Sequence, residues 1–239
     1  MATATRDLER PFRTMTAPAP VHPPSTVVLD MDGTLLDLHF DDQVWNHRLP
    51  QILAARRGCA LEAAQEYVAS TIAQARGTLD WYCLDYWGAL FDVSIHAIER
   101  ELAELIRPRP GTLEFLQHLE AQGIRSVLAT NAHPRSLAHK LERTGIARWF
   151  SAIRSAHPYG HPKEHDAFWT ALAADLDLEP ATSLFVDDNV AVLDAARRFG
   201  IAELYGIHRP SSRGAWREYA DYPAVDSLAE LIPRCARRG

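Results

Sequence analysis

Short apolar runs without alternation are the feature that most constrains the fold of this chain. They lie at residues 26–29, 124–130, 182–188 and 201–207. A run of aliphatic and β-branched residues that does not alternate with polar ones is typical of a strand covered on both faces. Segments with helical spacing separate the later runs, and this order predicts βαβ units. The predicted fold class is therefore α/β, with a Rossmann-like parallel sheet.

Four segments with helical spacing accompany these strands. Leucines fall on one stripe of residues 111–123, and residues 134–145 and 189–200 follow the same plan. Each of these three segments ends in a glycine, which is common just past the end of a helix. Residues 162–176 begin with a proline, which predicts a helix with Pro162 in its first turn.

The stretch from residue 41 to about residue 107 contains no strand signal. Residues 60–77 and 94–106 are helical in period, and the proline-containing stretch "RPRPG" follows as a stiff joint. We predict an all-helical cap inserted immediately after the first strand, where it lies over the strand ends as a lid. The predicted division is a flexible N-terminal arm at 1–25, an α/β core at 26–40 and 108–239, and the cap at 41–107.

The composition limits which binding partners and which cellular compartment are expected for this protein. The 239 residues are 47% hydrophobic, and the net charge of −6 argues against a nucleic acid polymer as the main partner. No apolar run approaches the roughly 20 residues that cross a bilayer, so no membrane partner is expected. The three cysteines have no paired spacing, so we expect reduced thiols in the cytoplasm. The basic end "RCARRG" is expected to be solvated, and the oligomeric state stays open.

Polar side chains follow three of the predicted strands at the point where each strand ends. Ligands bind beyond the carboxyl ends of parallel strands, so these side chains are expected to meet. Four acids in one crevice cannot all stay ionised without a cation, and hard carboxylate oxygens suit Mg²⁺ that shares a substrate phosphate. The set consists of Asp30 and Asp32, Thr130 and Asn131, and Asp187 and Asp188.

Three further features fit a phosphate group. Lys163 offers a point charge, and Thr130 and Asn131 offer a hydroxyl and an amide as donors to phosphoryl oxygens. Gly33, directly after Asp32, lets the backbone approach a ligand closely. The sequence thus predicts a magnesium-assisted site for a small phosphorylated molecule.

These residues, taken in order, resemble the four motifs of the haloacid dehalogenase superfamily of phosphohydrolases. The similarity extends from about residue 26 to residue 206 and includes "DMDGT", the strand-end threonine, the lysine and the paired aspartates. It implies that Asp30 attacks the phosphorus to form an aspartyl-phosphate, and that Asp32 protonates the leaving oxygen and later deprotonates water. Thr130, Asn131 and Lys163 are then expected to hold the phosphoryl oxygens.

The same resemblance implies a set of magnesium ligands. They are the Asp30 carboxylate, the Asp32 backbone carbonyl and Asp188, with Asp187 binding directly or through water. The chain has "DD" where many relatives have "GD". This departure leaves the division of roles between Asp187 and Asp188 open.

Four longer stretches are similar to the bacterial GMP/IMP-type purine 5′-nucleotidases of this superfamily. They are "DMDGTLLDLHFDDQVW", "TLDWYCLDYW", "TNAHPRSLAHKLERTG" and "HPKEHDAFW". The resemblance implies a purine mononucleotide, GMP or IMP, as the small-molecule partner. Stacking on an aromatic ring contributes about 1–3 kcal/mol per base. The candidates for contacts with the nucleoside are Trp81, Tyr82, Asp85, Tyr86, Trp87 and His133.

The sequence also allows other interpretations of the function. The same chemistry could act on a sugar phosphate, as a phosphatase or a mutase. Dehalogenation needs no acid at Asp32 and no metal-binding pair, so the intact set of acids counts against it. A non-catalytic binding module usually lacks a motif acid, and none is missing. His157, His161 and His165 repeat every four residues, but the intervening prolines and glycine break any shared helix face, so they are not expected to bind metal.

Overall fold

A six-stranded parallel sheet forms the centre of the computed structural model, which describes residues 22–236. The strand order is β3-β2-β1-β4-β5-β6, with every neighbouring pair parallel. This is the doubly wound order of Rossmann-like sheets, so the predicted fold class is confirmed. The strands are β1 Thr26–Leu29, β2 Arg125–Thr130, β3 Ala152–Ser155, β4 Ser183–Val186, β5 Glu203–Ile207 and β6 Ala224–Val225.

The central strand explains why its apolar run does not alternate. β1 pairs with β2 on one side and with β4 on the other, and its residues Val27, Val28 and Leu29 are fully buried. Helices cover both faces, so neither face of this strand selects for polar residues. The backbone N–H of Asp30 still donates to the Val186 carbonyl at 3.1 Å. The first acid is therefore held at the carboxyl edge of the sheet.

Within the described chain, every regular element between β1 and β2 is helical. These elements include a π-helix, Gln43–Arg48, and a 3₁₀ turn, Leu79–Tyr82. The helices before β2 are α1 His39–Asp42, α2 Leu49–Arg57, α3 Leu61–Ala73, α4 Leu84–Phe91, α5 Ile95–Glu101 and α6 Thr112–Ala121. The later helices are α7 Pro134–Thr144, α8 Asp166–Leu176 and α9 Val190–Phe199. We call α1 to α5, with their connections, the inserted helices.

The predicted helix at residues 162–176 begins later than expected. α8 starts at Asp166, so Pro162 does not occupy its first turn, and that part of the prediction is wrong. The reason is local hydrogen bonding around Lys163. Its backbone N–H donates to Asn131 Oδ1 at 2.8 Å, and its carbonyl accepts from Trp169 Nε1 at 2.8 Å. These bonds hold the segment before α8 in a turn at the sheet edge.

The ends of the described chain also differ from expectation. Cys235 is fully buried, and Arg234 Nε donates to Glu203 Oε2 at 2.6 Å, so this part of the basic end is packed rather than solvated. Of the predicted arm, residues 1–21 lie outside the described part of the chain. Ser25, within the predicted arm, is attached to the sheet domain through a backbone hydrogen bond of 2.9 Å to Thr182.

Two buried clusters cover the faces of the sheet. Val28 and the strand residue Phe185 pack against α8 and α9, including Trp169. Val27 and Leu29 belong to a second cluster that extends through α6 into the inserted helices. The division into a core and a cap stays a prediction, since one continuous cluster joins both. Within residues 22–236, no helix is long and apolar enough to cross a membrane.

Candidate active site

Three carboxylates meet where β1 and β4 end. Asp30 follows β1, and Asp187 and Asp188 follow β4, the neighbouring parallel strand. One carboxylate oxygen from each lies within 4.8 Å of the others. Asp30 is 5% exposed and Asp187 1% exposed. We call these three residues the acidic cluster.

Lys163 lies against two members of this cluster. Its Nζ donates to Asp30 Oδ1 and, at 2.7 Å, to Asp187 Oδ2. The other oxygen of Asp30, Oδ2, is buried and accepts no hydrogen bond from the described residues. Buried polar atoms are normally paired, so this oxygen has the character of a ligand atom. Three carboxylates with one unpaired buried oxygen form a donor set that fits Mg²⁺.

The electrostatics of the cluster show an excess of negative charge. Burial raises the pKa of Asp30 to about 7, with Lys163 opposing the shift and Asp187 and Asp32 adding to it. Burial likewise raises the pKa of Asp187 and of Asp188 to about 6. For Lys163, burial acts to lower the pKa, but the two carboxylates outweigh it and the pKa lies above its ordinary value. Two cations, Lys163 and Arg217, therefore face three carboxylates, and a further cation would stabilise the cluster.

Gly33 makes room for the third carboxylate. Its φ is +89°, a value that side chains disfavour, and an added Cβ would lie 2.8 Å from Asp188 Cγ and 3.0 Å from Pro210 Cβ. Asp188 is held from another direction, since Arg217 Nη1 donates to its Oδ2 at 2.9 Å. The glycine thus permits the close packing of the "DMDGT" turn on Asp188.

Asn131 orients the segment that contains Lys163. Besides accepting from the Lys163 backbone, its Nδ2 donates to Glu164 Oε2 at 2.9 Å. Tyr82, from the inserted helices, donates its hydroxyl to Glu164 Oε1 at 2.6 Å. Burial and the Glu164 carboxylate raise the pKa of Tyr82 well above its usual range, so the hydroxyl stays protonated. Thr130 Oγ1 accepts from the Ala132 N–H at 3.0 Å.

Asp32 lies beside the acidic cluster and forms an ion pair with a second lysine, Lys140. Lys140 on α7 is 1% exposed, and its Nζ donates to Asp32 Oδ1 and to Asp41 Oδ1, each at 2.7 Å. Burial and the Asp32 charge raise the pKa of Asp41 to about 7, although Lys140 opposes the shift. A second aspartate–lysine–aspartate arrangement, with a buried lysine between two partly buried aspartates, therefore lies next to the first.

A cavity of about 570 Å³ joins these groups to the inserted helices. This volume is within the range of small-molecule sites. Asp30, Asp32 and Lys163 line it on the sheet side, and Trp45 and Trp81 line it on the side of the inserted helices. The cavity thus has apolar rings and charged groups in the same lining.

The predicted contacts with the nucleoside divide into two groups. Trp81, Tyr82 and His133 line the cavity. Trp87 is buried and stacks on Phe91, with ring centroids 5.7 Å apart. Tyr86 is 41% exposed and lies outside the cavity lining. Asp85 is also outside it, and its Oδ2 lies 3.5 Å from His133 Nε2.

Several cavity residues were not predicted from the sequence. Asp41 and Trp45 lie in a stretch that carries the resemblance, but neither had a signal of its own. Arg217 comes from the connection between β5 and β6, where no motif was found. The unpredicted lining residues include Asp41, Trp45, Glu99, Ser136, Lys140 and Arg217.

Comparison with known families agrees with this geometry. The family model for haloacid dehalogenase-like hydrolases matches residues 24–200. The chain belongs to this family. This haloacid dehalogenase-like hydrolase is therefore an enzyme, and the resemblance of its motifs to that superfamily is confirmed.

Two relatives and one solved structure illustrate the similarity. The hydrolase is 40% identical over 208 residues to "GMP/IMP nucleotidase YrfG" of Escherichia coli, covering 87% of this chain and 94% of that protein. It is 26% identical over 240 residues to a phosphoglycolate phosphatase of Pseudomonas fluorescens, covering 89% and 80% of the two chains. A haloacid dehalogenase-type phosphatase from Thermococcus onnurineus superposes with a TM-score of 0.73 at 23% identity, over 87% and 96% of the chains. This last similarity shows the fold alone.

Proposed function

We propose that this hydrolase is a magnesium-dependent phosphomonoesterase that removes the 5′-phosphate of purine mononucleotides, GMP and IMP first. The main supporting observation is that one cavity contains both the Asp30–Lys163 pair and two indole rings, Trp45 and Trp81. The choice of purine nucleotides draws on the nucleotidase from Escherichia coli, which aligns over 94% of its length. The three free cysteines support a reducing compartment, the cytoplasm.

In the proposed reaction Asp30 is the nucleophile. Its carboxylate attacks the phosphorus, the bond between phosphorus and the ribose O5′ breaks, and an aspartyl-phosphate forms. Asp32 gives its proton to the departing O5′. In the second step Asp32 takes a proton from the water that attacks phosphorus, the bond between phosphorus and the Asp30 oxygen breaks, and inorganic phosphate leaves with the Asp30 carboxylate restored.

The remaining charged groups serve phosphate binding. The acidic cluster and the Asp32 backbone carbonyl would hold Mg²⁺, which when bound offsets the negative charge of the phosphoryl group. Lys163 and Thr130 face the cavity and are assigned to the phosphoryl oxygens. The Asn131 side chain orients the Lys163 backbone, so a positioning role is assigned to it as well.

The indole rings are assigned to the base. Trp81 and Trp45 offer apolar faces, and stacking of one base contributes about 1–3 kcal/mol. The Tyr82 hydroxyl already donates to Glu164, so Tyr82 is assigned a contact through its ring rather than through its hydroxyl. Such stacking favours a nucleotide over a bare sugar phosphate.

A panel of phosphomonoesters tests this proposal. We expect GMP and IMP to give the highest kcat/KM in Mg²⁺, with phosphate release abolished by EDTA. If a hexose phosphate or phosphoglycolate exceeds GMP by about tenfold, equal to about 1.4 kcal/mol in transition-state binding, the purine assignment is wrong. Asp30→Asn serves as the control for the chemistry, and wild-type turnover by that variant contradicts the nucleophile assignment.

A further inference from the structure

The use of lysine in this chain is unusual. Of the 25 basic residues, 23 are arginine and only two, Lys140 and Lys163, are lysine. Both lysines are at most 2% exposed, both line the cavity, and each donates to two aspartates. Lysine supplies a compact point charge, whereas arginine supplies a planar fork. A chain that uses arginine elsewhere thus has lysine only where two carboxylates share one buried cation.

Lys140 has no part in the reaction proposed above, yet it contacts the proposed acid and base. It comes from α7, whereas Asp32 follows β1 and Asp41 lies on α1. Its Nζ lies 2.7 Å from one oxygen of each aspartate and 5.0 Å from the centre of the Phe40 ring. The buried carboxylate of Glu99 adds negative potential at this ammonium. Lys140 is therefore fixed from several directions.

The chemistry of an ammonium determines how Asp32 can exchange a proton. An ammonium only donates hydrogen bonds, so Asp32 Oδ1 accepts from Lys140 whether the carboxyl group is protonated or not. The exchangeable proton is thereby restricted to the other oxygen, Oδ2. Among residues 22–236, no donor is bonded to Asp32 Oδ2. That oxygen remains available to a substrate.

We propose that Lys140 is a positioning residue that fixes the Asp32 carboxyl group through Oδ1, so that Oδ2 alone exchanges protons. Asp41 holds the ammonium from the other side. When the bond between phosphorus and the leaving oxygen breaks, its electron pair goes to that oxygen, and Oδ2 supplies the proton. In the second step Oδ2 takes the proton of the attacking water. This inference rests on the proposed function for the role of Asp32.

Leaving-group dependence separates this role from a structural one. The alkoxide of a nucleotide needs a proton to leave, whereas p-nitrophenolate leaves without one. The measured quantity is the ratio of kcat/KM for GMP to kcat/KM for p-nitrophenyl phosphate, in Mg²⁺, for the full chain. Lys140→Met is the test variant, and Arg143→Met, an exposed change one turn along α7, is the matched control.

We expect Lys140→Met to lower the ratio by about 100-fold, within the usual contribution of general acid catalysis, while Arg143→Met leaves it unchanged. An equal loss on both substrates would show a structural role and overturn the proposal. The wild-type enzyme tests the proposed function separately. If it does not hydrolyse GMP, the ratio is measured with the alkyl phosphate that the panel selects.

A second measurement does not depend on the folding of a lysine variant. Protein labelled with ¹⁵N-lysine contains only two labelled side chains. We expect Asp32→Asn to shift the Nζ signal of one lysine and Asp187→Asn to shift the signal of the other. If Asp32→Asn shifts neither signal, Lys140 does not hold Asp32 in solution, and the proposal fails.

Discussion

Gly33→Ala gives a prediction whose magnitude follows from two separate features of the structure. Placing a side chain at φ +89° costs about 1–2 kcal/mol. The new Cβ would also lie 2.8 Å from Asp188 Cγ, with Pro210 Cβ at 3.0 Å. The Asp188 side chain then has to leave its rotamer, which costs a further ~0.5–1.5 kcal/mol. We expect a total loss of about 1.5–3.5 kcal/mol in the free energy of unfolding.

Gly58→Ala is the matched control. Gly58 also has a positive φ, +63°, but an added Cβ meets nothing within 4 Å. It should therefore lose only the conformational part, about 1–2 kcal/mol. Urea unfolding of both variants measures the difference, and the Mg²⁺ concentration for half-maximal activity measures the effect on Asp188.

The two variants should differ most in magnesium dependence. Disturbing a group that orients a metal ligand typically weakens metal binding about 10–100-fold. Gly33→Ala should raise the half-maximal Mg²⁺ concentration by an amount in this range, and Gly58→Ala should leave it unchanged. Equal magnesium dependence in both variants would refute the assignment of Asp188 as a magnesium ligand packed against Gly33.

Three further changes test other parts of the account. Trp81→Ala should raise KM for GMP by about fivefold or more, since stacking contributes about 1–3 kcal/mol, without changing KM for ribose 5-phosphate, which has no aromatic ring. Equal changes in both KM values would exclude stacking. Lys163→Met should lower the free energy of unfolding by about 3–5 kcal/mol because it leaves Asp30 and Asp187 buried without their cation, and a loss below about 1 kcal/mol in urea unfolding would contradict this. The pKa values of Asp30 and Asp187 are raised to about 7 and about 6, so the folded state binds protons more tightly than the unfolded state. In EDTA, the stabilisation that comes from these two protonated groups is therefore present at pH 4 and is lost as the pH rises to about 7. Mg²⁺ should then raise Tm more at pH 8 than at pH 5, and the reverse order would be inconsistent with the acidic cluster as its site.

The sequence predicted the four inner strands of the sheet, β1, β2, β4 and β5, but neither edge strand. β1, β2 and β4 have apolar runs that do not alternate with polar residues because helices cover both faces. β3 and β6 lie at the two edges of the sheet and were missed. β3 contains the half-buried Arg154, and β6 has only two residues, so neither shows a distinct pattern. Edge strands depend on pairing with a neighbour that local sequence does not reveal.

Some residues of the candidate site could be predicted from the sequence, and others could not. Asp30 and Asp187 were predictable because each follows a buried strand directly, and parallel strands bring such positions together. Lys140 reaches Asp32 from one face of a helix, so its place depends on how α7 packs. Two features of the sequence could have pointed to it: the rarity of lysine in the chain, and its place in the stretch "TNAHPRSLAHKLERTG". Trp81 and Trp87 have similar neighbours in the sequence. Tertiary packing alone determines that Trp81 lines the cavity and that Trp87 is buried in the core.

Trapping the covalent intermediate tests the central claim most directly. Wild-type enzyme would be mixed with Mg²⁺ and GMP that carries a radioactive phosphate, quenched in acid within milliseconds and digested for peptide analysis. The account predicts acid-stable phosphate on the peptide that contains Asp30, and none on Asp30→Asn. Turnover of GMP without any labelled peptide, or with the label on a different residue, would contradict it.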